Sequence, residues 1–114
     1  MTPYNEKLYV ISRKDLSPGA QAAQGMHALC EFAQEWPQEY HTWRKFNTLI
    51  FLAAENENAL QKFAEKAIKK GLSISYFREP DFDNALTAII IQPSALTEYI
   101  CRDLHLALCI TNPI

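Results

Sequence analysis

Gln21, Gln24, His27 and Glu31 recur along an alanine-rich stretch at spacings of three and four residues. On an α-helix those spacings put Gln24, His27 and Glu31 on one face. An imidazole in that position can take a proton from water or hold a water in place, and a carboxylate one turn further on can orient the ring. The structural alternative is a helix histidine packed at a sheet edge, a solvated ion pair with Glu31, and an ordinary polar helix edge for the glutamines. A second carboxylate, Glu79, follows Arg78 and precedes a polar loop. It can act as acid or base if the fold carries it across a sheet to the same corner. His41 stands among Trp36, Tyr40 and Trp43, which reads as an aromatic cluster or a partner surface, with a core role the better fit for the aromatics. The chain has no metal-ligand spacing, no phosphate-cradling glycine loop and no Ser-His-Asp order, and none of those chemistries is expected.

These side chains need elements to position them. Residues 8–12 form a short apolar run and read as a strand. Ser17 is a suitable helix N-cap and Pro18 suits the first helical position, so a helix is expected from there to about Trp36, where Pro37 ends or kinks it. A short helical turn over 38–46 follows. Residues 48–53 are continuously apolar and read as a strand buried on both faces. Asn58 with Gln61 resembles a capping box. The helix after it places Leu60, Phe63, Ala64, Ala67 and Ile68 on one stripe and ends at Gly71. Strands are expected at 72–78 and 86–92, then a helix capped by Ser94 and running to about Leu104, with an edge strand available at 107–110. The strand and helix order implies at least one parallel pair, and the short link between the third and fourth strands implies an antiparallel one. The expected fold is therefore α/β, a three-layer α/β/α arrangement around a mixed four-stranded sheet, with residues 1–114 as one domain.

Composition narrows the function classes. With 48% hydrophobic and 21% charged residues the chain has the balance of a soluble globule. Its net charge of −2 supplies no global field for nucleic acid, so DNA is not an expected partner, and RNA contact must rest on local cations. Arg102 is the only basic residue beyond position 79. The three cysteines form no C-x-x-C, which fits free thiols in a reducing cytoplasm, and Cys30 beside Leu29 and Phe32 reads as a core thiol. The opening residues lack the pattern of a signal peptide, and no apolar run is long enough for a bilayer, so no membrane partner is expected.

The stretch KLYVISRKDLSPGAQAAQGMHA, residues 7–28, resembles the N-terminal signature of type II peptidyl-tRNA hydrolases. In that family a strand, an Asp-Leu and a glycine turn lead into Ala-Ala-Gln-x-x-His-Ala, matched here by Asp15-Leu16, Gly19 and residues 22–28. Arg78-Glu79 and the strand Thr87–Pro93 match its second signature more loosely. The resemblance implies hydrolysis of the ester joining a peptide to tRNA, without a cofactor, by a homodimer. It implies catalytic roles for His27, Glu79 and a cation, and substrate contacts by Asp15, Gly19, Gln24, Arg78 and Thr87. The family's turn carries lysines, whereas this turn, 17–21, is shorter and has none. Glu79 stands where the family has aspartate. Lys14, nearest in sequence to the turn, is the candidate for the missing cation. The competing expectation is a dimeric binding module for RNA, nucleotide or protein that keeps the fold without the chemistry.

Overall fold

A computed structural model describes residues 6–109. In chain order it contains β1 (Lys7–Arg13), α1 (Pro18–Glu35), α2 (Pro37–Trp43), β2 (Thr48–Ala54), α3 (Glu57–Lys69), β3 (Ile74–Glu79), a 3-10 turn (Pro80–Phe82), β4 (Ala85–Ile91), α4 (Ala95–Ile100) and β5 (His105–Leu106). The sheet order is β3-β4-β1-β2-β5. β1 and β2 are parallel, and β1–β4, β3–β4 and β2–β5 are antiparallel. The fold is thus the expected α/β class with a mixed sheet, but it has five strands rather than four. The added strand is two residues long and begins earlier than expected, at His105. Ile110, the end of the anticipated edge strand, lies outside the described residues.

Two apolar clusters fill the space on either side of the sheet. Leu8, Val10 and Ile90 pack with Phe32 of α1 and Trp43 at the end of α2. Tyr9, Ile11, Leu52, Ile89 and Ile91 pack on the other face with Leu60, Ala64 and Ala67 of α3 and Ile100 of α4. Alternation along each strand sends neighbouring side chains to opposite clusters, so β1 and β4 are buried on both faces. β2 departs from the expectation of two buried faces. Its first half is open, with Thr48 and Leu49 exposed. For Leu49 the reason is that α1 lies over β4, β3 and β1 and leaves its face of β2 uncovered.

Local chemistry sets the helix ends. The Ser17 hydroxyl accepts from Ala20 N–H at the start of α1, and Pro37 begins α2. Asn56, not Asn58, caps α3, because its side chain accepts from Ala59 N–H three residues on. Gly71 closes that helix with φ +78, and Leu72 N–H returns to Ala67 O. Ile68 falls off the buried stripe and is exposed, and α4 stops at Ile100, short of Leu104. Cys30 is also exposed, contrary to the core reading. The buried positions of α1 are Gln21, Gln24, Gly25, Ala28 and Phe32, and Cys30 points away from that stripe although its sequence neighbours are apolar.

Candidate functional site

Glu79 closes β3, and period-two alternation puts Ser75, Phe77 and Glu79 on the face that α1 covers. Ser75 donates to Glu35 near the end of α1, at 2.6 Å. Phe77 stacks on His27, with ring centroids 4.5 Å apart and planes 18° from parallel. Glu79 receives a hydrogen bond from Gln24 Nε2 at 2.9 Å. One strand and one helix thus meet along three consecutive pairs, and the last of them carries the polar chemistry.

Thr87 reaches the same network through a bulge. Phe77 pairs with Ala88 and Arg78 pairs with Leu86, so Thr87 is the extra residue of β4. The bulge turns its side chain onto the α1 side beside that of Ala88. Its hydroxyl lies 2.6 Å from Gln24 Oε1, with Phe77 O at 3.2 Å as a second acceptor. The β1–β4 ladder has ended here, and side chains serve the backbone groups that remain. Ser12 donates to Thr87 O, Arg13 donates to Leu86 O, and Glu57 accepts from Leu86 N–H.

Charge fixes the direction of every bond in the chain Thr87–Gln24–Glu79. An ionised carboxylate only accepts, so Gln24 must show it the amide NH2. The amide oxygen then faces Thr87, whose hydroxyl donates. Gln24 is 5% exposed and Thr87 fully buried, so water cannot substitute for either partner. The Gln24 hydrogen bond holds the Glu79 carboxyl below the usual carboxylate range, helped by Asp81 N–H, which donates to it at 3.2 Å, and by the electrostatic influence of nearby His27, against an opposing desolvation. Glu79 is therefore a carboxylate at neutral pH. It suits activation or orientation of water, and at rest it holds no proton to donate.

The structure brings together Gln24, His27, Glu79 and Thr87, and adds Phe77, which sequence reasoning missed. Its signal was available in the period of the strand, two residues before Glu79. Lys14 lies elsewhere. Its backbone N–H bonds Ala54 O, and its ammonium is 3.7 Å from Glu55 on the β2 side, where it lines a crevice with Gln21 and His105. Asp15 forms a two-pronged pair with Arg13, at 2.9 and 3.0 Å, that braces the turn before α1. This pairing holds the Asp15 carboxyl low and the guanidinium high. Arg78 is exposed and approaches Asn84 O at 3.5 Å. Gly19 sits exposed in the first turn of α1, and a methyl group there would touch no other part of the protein. Gln21, read as a polar edge, is buried. It donates to Leu16 O and accepts from Leu108 N–H, tying the turn to the chain after β5. Among the described residues no cluster of His, Cys, Asp and Glu could hold a metal, and no helix is long and apolar enough to cross a membrane.

Comparison with known proteins bears on this geometry. A search of curated proteins returned no match. Among solved structures, the protein of unknown function Atu0240 from Agrobacterium tumefaciens strain C58 is similar, with a TM-score of 0.67 at 12% identity, covering 88% of this chain and 96% of that one. At that identity the likeness concerns the fold alone. The family model of peptidyl-tRNA hydrolase PTH2 matches residues 6–107, a span that takes in both flanks of the Gln24–Glu79 network. The chain belongs to the peptidyl-tRNA hydrolase PTH2 family.

Proposed function

We propose that this chain hydrolyses the ester between a peptide and the 3′ end of a tRNA, with the Glu79 carboxylate acting on the attacking water. The observation that carries this reading is the Thr87–Gln24–Glu79 relay, which holds an ionised carboxylate in one orientation beside the stacked pair of exposed His27 and half-buried Phe77. Water attacks the ester carbonyl as Glu79 takes its proton. The acyl C–O bond to the ribose then breaks, and the proton passes to the departing ribose oxygen. Family membership supports the substrate class. The working environment implied by a translation substrate is the cytoplasm, and the working unit is a homodimer. Exposed apolar side chains lining one groove, Met26, Leu49 and Leu108, favour self-association.

The test is hydrolysis of purified peptidyl-tRNA. General-base catalysis contributes about 10²–10⁴-fold, and a carboxylate of lowered pKa pulls protons weakly, so Glu79→Gln is expected at the low end, about 10²-fold down in kcat. A folded wild-type protein without activity would overturn the hydrolase reading in favour of a binding module. That second reading is favoured by the position of Lys14, whose ammonium pairs with Glu55 instead of facing the relay.

A further inference from the structure

We propose that the His27 ring is a stacking platform for the nucleobase of the terminal nucleoside whose ribose carries the ester; this rests on the hydrolase reading above. The imidazole lies nearly parallel to Phe77 at a centroid distance of 4.5 Å. Phe77 is half-buried and covers one face of the ring, while His27 itself is exposed, which leaves the other face to solvent. The two rings are carried by α1 and β3, elements locked together by Ser75–Glu35 on one side and Gln24–Glu79 on the other. The platform is therefore rigid before anything binds. Rigid, exposed aromatic faces are how proteins hold the splayed bases of single-stranded RNA ends, each stack being worth about 1–3 kcal/mol.

The bonding of His27 fits a platform better than a base. A catalytic imidazole is oriented by a partner on its far nitrogen. Among the described residues neither ring nitrogen of His27 makes a hydrogen bond within the protein, and Glu31, its anticipated partner, does not contact it through one. What orients the ring is Phe77. Glu79 follows Phe77 by two residues on the same face, so a base laid on His27 brings its ribose to the carboxylate. The aromatic pair thus supplies grip and register, and the neighbouring relay supplies the chemistry.

The experiment measures steady-state hydrolysis of a peptidyl ester on a short RNA ending in adenosine, and on the same RNA ending in an abasic ribose. His27→Ala is expected to raise KM about tenfold with kcat within about threefold, matching the energy of one stack. His27→Phe, which keeps a flat ring but cannot take a proton, is expected to restore KM. The abasic substrate is expected to raise KM for the wild type and to erase the difference between wild type and His27→Ala. Loss of kcat in both variants, or a wild type indifferent to the missing base, would overturn the platform. Should the wild type hydrolyse neither substrate, the hydrolase reading falls by itself. The platform is then judged with 2-aminopurine as the RNA's last base. Quenching by wild type and His27→Phe but not by His27→Ala supports it, and quenching that ignores position 27 refutes it.

Discussion

The Glu79 carboxylate owes its low pKa first to one neutral amide. Removing that donor lets the carboxyl rise toward the ordinary glutamate range. Gln24→Ala is therefore expected to shift the acidic limb of the kcat/KM profile to higher pH, with activity lost earlier as pH falls. A pH profile whose acidic limb stays in place would show that Gln24 does not tune the group. Thr87→Val keeps the shape of the side chain and deletes its hydroxyl, leaving the buried Gln24 oxygen without a donor. Such an orphan costs about 1–3 kcal/mol, measurable as a shift in urea midpoint, and it frees the amide to turn its oxygen toward Glu79. Neither effect was legible from Gln24 or Thr87 as letters. The sequence marked both as candidates, but the bulge that turns Thr87 onto the α1 side has no signature in residues 85–91.

The approach of α1 to the sheet depends on Gly25, where an added methyl group would lie 2.5 Å from the tip of the Phe51 ring. The contact is with the end of a half-buried side chain that borders an open apolar groove, so the ring has somewhere to move. Gly25→Ala is expected to cost about 1–2 kcal/mol of stability, the low end of overpacking. The double variant with Phe51→Leu should be more stable than the sum of the two single changes, since the shorter side chain removes the ring tip that the added methyl group meets. Additive denaturation energies would place the cost of Gly25→Ala somewhere other than Phe51. Helix ends were readable at this scale wherever a cap residue and a breaker stood alone, as at Ser17, Pro37 and Gly71. They were misread where two asparagines competed, at Asn56 and Asn58, because both have the right chemistry and backbone geometry alone decides which one caps.

Across the whole molecule the two apolar clusters sort the cysteines by reactivity. Burial pushes the Cys101 thiol up to about 12, while Cys30 and Cys109 are exposed. Titration of the native protein with a thiol reagent should find Cys30 and Cys109 reacting quickly and Cys101 reacting only on unfolding. Fast reaction of Cys101 would contradict its place beneath α3 and α4. The mixed sheet, the helix on each side and the corner where β1 turns into α1 were all written in local patterns: apolar runs, a Ser-Pro start, a Gly stop. Those patterns act between residues close in the chain, so the sequence by itself determined β1 to β4, the helices and their order, while the edge strand β5 came earlier than its pattern implied. Tertiary structure alone decided which candidates share a site. It paired Glu79 with Gln24 and Phe77 with His27 across two elements, sent the Lys14 ammonium to Glu55, and made Asp15 a brace for Arg13. The physical reason is that strand order, register and a single bulge set the direction of each side chain, and these are settled by packing both faces of the sheet at once.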